Sequence, residues 1–216
     1  MDKQCEIHGK YSALLASDRR HYYVADPNVE PLVSCCGLGH HCGDQVANHS
    51  CNMLLEITQS CNLTCPTCNA GSSPQNKTFM SVDQFTKTID GLLEKGKGDA
   101  GLIQLSGGEP TILPQFFDIV EIALDRGIKQ VYINTNAIKL SRREFAECVA
   151  SYGSRVSVYL QFDGFKKSTY GLLRGREDLL DTKIKAADHC EELGLNTVPT
   201  MTLTRKINDD EVGKFI

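Results

Sequence analysis

From Asn52 onward, short apolar runs alternate with amphipathic stretches of helical period, and this alternation restricts the fold more than any other feature of the chain. Asn52-Met-Leu-Leu-Glu-Ile-Thr58 reads as a strand, and Leu102–Leu105, Gln130–Ile133, Arg155–Leu160 and Thr197–Leu203 read as four more. After the first strand, Val82, Phe85, Ile89, Leu92 and Leu93 share one helical face behind a capping box of Ser81 and Gln84. Pro114 is predicted to open a second helix, with Phe117, Val120 and Leu124 on its apolar face and Gly127 as its stop. Ser141 with Glu144 is expected to cap a third, and a helix from about Glu177 to Leu193 ends at Gly194. Pro199 falls inside the fifth predicted strand and counts against it. Asn208-Asp-Asp-Glu211 reads as a fresh helix start, acidic in its first turn. Such alternation means parallel strands joined by right-handed crossovers, an α/β fold. The chain stops soon after that last start, leaving apolar Val212, Phe215 and Ile216 without a following element. The expectation is a C-terminally truncated fragment, or a sheet completed by a partner.

Residues 1–51 read differently. They are rich in His, Cys, Gly and Pro and show no sustained periodicity, so the expected organisation is a Cys/His-rich N-terminal segment, 1–51, followed by an α/β core, 52–216. Across 216 residues, 23 Lys+Arg face 27 Asp+Glu for a net charge of −4, which lacks the basic footprint of a general nucleic-acid binder. No apolar run approaches the ~20 residues of a transmembrane segment. Met1-Asp-Lys-Gln-Cys-Glu6 lacks the apolar core of a secretory signal, so a cytoplasmic location is expected. Of ten cysteines, Cys5, Cys35, Cys36, Cys42, Cys51, Cys61, Cys65 and Cys68 crowd the N-terminal third, a pattern that in a reducing compartment points to metal binding or redox chemistry. Cys148 and Cys190 stand at apolar helical spacing and are expected as small buried hydrophobes.

Cys61-Asn-Leu-Thr-Cys65-Pro-Thr-Cys68 follows the first strand directly. Three thiolates there can hold three irons of a four-iron cluster and leave the fourth iron open. The same loop can also close a zinc knuckle with Cys51 or His49 as fourth ligand. One β/α unit later, Gly107-Gly108-Glu109-Pro110 lies where the second strand ends, and ligand sites of parallel α/β folds form at such carboxyl ends. Two glycines let the backbone approach a ligand closely, and a neighbouring carboxylate can accept hydrogen bonds from an ammonium group. Alone this sequence is a tight turn. After the cysteine loop it reads as the second half of a cofactor site.

Together these motifs and their β/α order resemble the radical S-adenosylmethionine (SAM) superfamily over residues 52–216. The resemblance implies a partial (β/α)6 barrel in which Cys61, Cys65 and Cys68 ligate a [4Fe-4S] cluster and SAM chelates its open iron. Reductive cleavage of SAM would yield a 5'-deoxyadenosyl radical that abstracts hydrogen from an organic substrate. Gly107, Gly108 and Glu109 would receive the methionine amino group, and Asn134 and Asn136 the methionine carboxylate or the ribose. Gln161 and Asp163, at the end of the fourth strand, are further cofactor-binding candidates; the alternative for both is a turn or cap. Arg174 would pair with a carboxylate or phosphate, or simply lie on the surface. Thr67 departs from the aromatic residue many members carry before the third cysteine.

Within the superfamily the chain is similar to the tetraether lipid synthase and methanopterin C-methylase-like group. The shared phrases are Cys5-Glu-Ile-His8-Gly9, the Cys/His stretch ahead of the first strand, Leu160-Gln-Phe-Asp-Gly164-Phe165 and Leu173-Arg-Gly175. That group carries extra N-terminal metal sites, and Cys36, Cys42 and Cys51 are the candidates here for an auxiliary iron-sulfur cluster or a mononuclear metal. The spacing of this stretch departs from the group's Cys-Gly-x-Cys pattern, and adjacent Cys35 and Cys36 do not both suit one small ion. The resemblance also implies a small-molecule or lipid substrate, lipid- or pterin-type C-C bond formation or methylation, and an electron donor such as flavodoxin or ferredoxin. Two other readings stand beside it: a cluster- and SAM-binding fragment or subunit without turnover of its own, and a zinc-stapled binding module. The second of these leaves the Gly107–Pro110 turn without a role.

Overall fold

The computed structural model describes residues 2–5, 9–12, 52–95 and 101–215. The chain divides into two compact units, Met1–Val46 and Ala47–Ile216. In the first, β1 (Asp2–Cys5) and β2 (Gly9–Ser12) pair antiparallel, with Asp2 opposite Ser12 and Cys5 opposite Gly9. This pairing goes beyond what the sequence announces, because these residues carry no apolar alternation and are joined through the backbone.

The second unit is a parallel sheet of β3 (Asn52–Thr58), β4 (Leu102–Gly107), β5 (Gln130–Thr135), β6 (Val156–Gln161) and β7 (Asn196–Thr200). The five strands lie side by side in chain order, the sequence a β/α barrel follows rather than the reversing order of a doubly wound sheet. Alternate strand residues such as Ile57, Ile103, Leu105, Val131, Ile133, Val158 and Leu160 are buried in one core with the helices. Their neighbours in sequence, including Gln104, Ser106, Asn134 and Tyr159, face away from that core.

The connections are α1 (Val82–Lys95), α2 (Phe116–Asp125), α3 (Arg143–Ala150), α4 (Lys167–Arg174) and α5 (Leu179–Glu192), with α6 (Val212–Phe215) last. The expected capping box is present: Gln84 N donates to Ser81 Oγ at 3.2 Å and Ser81 N to Gln84 Oε1 at 2.9 Å. Three local expectations need correction. Pro114 precedes α2 without opening it, because Pro110–Ile112 form a separate 3-10 turn and the helix begins at Phe116. Ser141 does not cap α3; it ends another 3-10 turn and its hydroxyl donates to the Ile138 carbonyl at 2.8 Å. Cys190 is buried as expected, but Cys148 is exposed, since α3 buries Ala146 and Val149 instead. The short helix α4 is an addition, too brief to show a period with Gly171 inside it.

Candidate active site

The cysteine loop starts where β3 ends, and backbone bonds hold it from both sides. Gln59 N donates to Thr78 O at 3.0 Å, Cys61 N to Ser73 O at 3.2 Å and Met80 N to Ile57 O at 2.8 Å, so residues 73–80 return along the end of β3. Leu63 is buried in the core between Cys61 and Cys65 and anchors the loop from below. Cys68 N donates to Cys65 O at 3.2 Å and Gly71 N to Cys68 O at 3.4 Å, which turns the chain twice in succession. Thr67 Oγ1 then donates to the Leu173 carbonyl in the last turn of α4 at 3.1 Å. The residue that departs from the superfamily's aromatic is thus a tether between the loop and α4.

The Gly107-Gly108 turn meets the same loop. A bulge in β3 lets Glu56 pair with Ser106 and Thr58 with Gly107, two steps on one strand against one on the other. Gly108 N donates to Thr58 O at 2.8 Å and Glu109 N to Ser60 O at 2.9 Å. Gly107 has φ +123, and a Cβ there would stand 2.0 Å from Thr58 O; one at Gly108 would stand 2.1 Å from Ser60 O. Sequence reasoning assigned these glycines to a ligand's approach. The structure adds a prior requirement: the turn crosses the backbone that starts the cysteine loop, and no side chain fits between them.

Glu109 is only 1% exposed. Its Oε1 accepts from Thr111 N at 3.2 Å, Thr111 Oγ1 at 2.6 Å and Thr135 Oγ1 at 2.7 Å, while Oε2 accepts from Asn136 N at 2.6 Å. The carboxylate therefore locks the end of β4 to the end of β5. Asn136 is held further: its Nδ2 donates to Asn62 Oδ1 at 2.7 Å, back in the cysteine loop, and its Oδ1 accepts from Ile138 N at 3.1 Å. Asn134 Oδ1, by contrast, is buried without a partner, as is Ser72 Oγ.

At the end of β6, Asp163 is fully buried and receives Arg174 in a bidentate pair, Nε to Oδ2 at 2.7 Å and Nη2 to Oδ1 at 2.8 Å. Thr202 N also donates to Asp163 Oδ1 at 3.1 Å. Burial opposes the charge of Arg174, but its bonds to Asp163, with a further contribution from Cys65, more than offset that and hold its pKa above the ordinary value. Gln161 Nε2 donates to Asp163 Oδ2, and Gln161 Oε1 accepts from Lys183 Nζ at 2.9 Å. Lys183 is a residue that sequence reasoning missed. It lies on the stripe of α5 that buries Leu179, Leu180, Ala186 and Cys190, and a lysine interrupting an apolar stripe was the available signal.

These parts enclose a cavity of about 660 Å³ at the carboxyl ends of the strands. Cys61, Cys65 and Cys68 line it together with Gly107, Gly108, Asn134, Asn136, Gln161 and Arg174. Glu109 and Asp163 sit behind the wall and orient what lines it. Burial pushes the Cys61 thiol up to about 11; Glu109 and the other two cysteines add to this, and a bond from the Leu63 backbone opposes it. A thiol in such a place stays protonated until a cation compensates the thiolate. Among the described residues no three His, Cys, Asp or Glu side chains gather around one point as a single metal ion requires. Cys36, Cys42 and Cys51, the auxiliary-metal candidates, lie outside the described residues.

Lys183 carries a pH signature. Burial lowers its pKa from 10.5 to about 8, with Asp163, Glu109 and Cys65 opposing the shift and Arg174 adding to it. The folded state therefore releases this proton before the unfolded state does, and stability rises with pH between about 8 and 10.5. The rise is on the order of 3 kcal/mol at full extent. Chemical denaturation across that range, run beside Lys183→Met, should show the wild-type increase shrinking by this contribution in the variant.

The sequence profile of the Radical SAM superfamily matches residues 55–216. The chain belongs to the radical SAM superfamily. Enzymes of this superfamily use a [4Fe-4S] cluster and SAM. The chain is 30% identical, over 99% of its length, to 7,8-dihydro-6-hydroxymethylpterin dimethyltransferase of Methanocaldococcus jannaschii, of which it covers 44%. It is 24% identical, over 76% of its length, to the mycofactocin maturase MftC of Mycolicibacterium smegmatis, of which it covers 40%. The chain thus spans less than half the length of these curated relatives. Streptococcus suis SuiB, in a crystal structure with bound S-adenosylmethionine, shares the radical SAM fold with it at TM-score 0.63 and 18% identity, over 76% of this chain and 36% of SuiB. Among the described residues no helix is long and apolar enough to cross a membrane.

Proposed function

We propose that Cys61, Cys65 and Cys68 hold three irons of a [4Fe-4S] cluster and that the chain is the SAM-cleaving core of a radical SAM enzyme. The observation that carries this reading is the convergence of the three thiols on one cavity with the Gly107-Gly108 turn and the ends of β5 and β6. The donor set fits the cofactors. Three thiols lining one cavity match three irons. Asn134 Oδ1 offers a buried acceptor that lacks a donor, which the ammonium or a ribose hydroxyl of SAM would provide. Arg174 presents a fixed guanidinium toward a carboxylate. When bound, cluster and SAM supply the carbon-centred radical chemistry of the superfamily. In this assignment the protein's own residues orient the ligand: Glu109 fixes Thr135 and Asn136 at the end of β5, and Asp163 aims Arg174.

For the whole protein, methylation of a pterin-type substrate is the reading that the dimethyltransferase relative supports. A reduced flavodoxin or ferredoxin would supply the electron, and a reducing cytoplasm suits such a cluster. Residues 1–51 would form a separate segment in which Cys36, Cys42 and Cys51 hold an auxiliary iron-sulfur cluster or a mononuclear metal. Metal analysis of Cys42→Ala beside wild type should then show a loss confined to that second site.

The deciding experiment is anaerobic iron-sulfide reconstitution followed by electron paramagnetic resonance of the reduced protein. The expected result is a four-iron signal that changes when SAM is added and disappears in Cys65→Ala. Bound zinc with no SAM-responsive cluster would overturn the reading.

A further inference from the structure

Lys183 is 0% exposed, and its ammonium faces three oxygens from two different strand ends. It donates to the Asn136 carbonyl beyond β5, to the Gln161 carbonyl at 3.0 Å and to Gln161 Oε1 at 2.9 Å at the end of β6. All three of its N–H donors are thereby matched. Methionine would fill similar volume without the cost of burying a charge, so a lysine here calls for a reason in what its donors hold.

We propose that Lys183 is a positioning residue of the cavity, which sets the Gln161 amide so that Asp163 presents Arg174 to an anionic group of the bound cofactor. Gln161 has two amide faces, and the lysine selects between them. With Oε1 turned to the ammonium, Nε2 turns to Asp163 Oδ2, leaving both carboxylate oxygens to take the guanidinium of Arg174 in register. Without the ammonium, the amide can rotate and place its oxygen against the carboxylate, which repels it. The same lysine pins the backbone at Asn136, whose side chain reaches Asn62 in the cysteine loop. One cation beneath the sheet thus braces two strand ends whose residues line the cavity. Charged groups near it come from other elements: Asp163 after β6, Arg174 in α4, Glu109 after β4 and Cys65 in the cysteine loop.

The role differs from that of a core lysine in being transmitted through Arg174, and this can be measured. The affinity arm rests on the proposed function; the exchange arm does not. In the first, SAM binding to the cluster-reconstituted protein is titrated for wild type, Lys183→Met, Arg174→Met and the double variant, with iron content and thermal unfolding recorded for each. Lys183→Met is expected to weaken SAM about tenfold at unchanged iron content, and to add no further loss in the Arg174→Met background. Unchanged affinity in Lys183→Met, or losses that simply add, would overturn the proposal. Should Lys183→Met not fold, Lys183→Leu, which also removes every donor, is measured in its place and is held to the same outcomes. In the second arm, hydrogen exchange of the unloaded protein is expected to accelerate about tenfold in peptides covering 134–138 and 161–163, with α1 unchanged. Absence of that local acceleration would also overturn it. If wild type binds no SAM, the functional reading fails and the exchange arm alone decides whether Lys183 braces the two strand ends.

Discussion

Gly108→Ala is expected to destabilise the protein by about 3 kcal/mol or more, one of the largest effects of any single methyl group added to this chain. The new Cβ would stand 2.1 Å from the Ser60 carbonyl oxygen and 2.7 Å from its carbon, and both are backbone atoms that cannot swing aside. Relief requires moving either the turn after β4 or the start of the cysteine loop. Either movement breaks the bonds from Gly108 N to Thr58 O and from Glu109 N to Ser60 O. Gly91 in α1 is the natural control, because nothing lies within 4 Å of a Cβ built there. Gly91→Ala should stabilise by about 0.5–1 kcal/mol through helix propensity. Urea unfolding of the two variants therefore moves in opposite directions. If Gly108→Ala unfolds at the wild-type midpoint, the close crossing of turn and loop is wrong.

Asp163→Ala should cost about 3–5 kcal/mol, the usual range for removing one partner of a buried ion pair. Asp163 has no exposed surface, and the Arg174 side chain keeps 12% of its own, so the arginine left behind cannot simply turn to water. Thr202 N and Gln161 Nε2 lose their acceptor in the same step. The contrast is with exposed pairs such as Arg126–Asp90 at 2.5 Å, where loss of the carboxylate should change stability by less than about 1 kcal/mol. Chemical denaturation of Asp163→Ala and Asp90→Ala measures both. Equal costs for the two would show that Asp163 is not the anchor of the β6 end.

The parallel sheet was legible because burial acts residue by residue, whereas its barrel order was implied by the family resemblance. The first four strands of 52–216 show their apolar runs, while the last, Asn196–Thr200, is mostly exposed and shorter than the predicted Thr197–Leu203. Ser81 with Gln84 states the cap of α1 in four residues. Local signals misled where a residue had a stronger partner than the one assumed. Ser141 had the Ile138 carbonyl, and Pro114 stood between a 3-10 turn and the helix rather than at the helix start. The short helix α4 passed unread because eight residues with a central glycine carry too little period.

Two motifs written in contiguous residues, the cysteine loop and the Gly107–Pro110 turn, were enough to indicate the superfamily and the end of the sheet where the site forms. Which residues line that site and which stand behind it depended on the tertiary structure. Glu109 and Asp163 look in sequence like ligand-facing carboxylates, yet each is buried and bonded to several donors from distant elements. Lys183 lies more than twenty residues from either strand end it braces, on a helix whose own pattern assigns it only to the buried face. Hydrogen bonds between such distant groups arise only after the strands are in register, because their geometry depends on where the sheet places each carbonyl. Periodicity reports which face a residue takes; it carries no information about the partner waiting there.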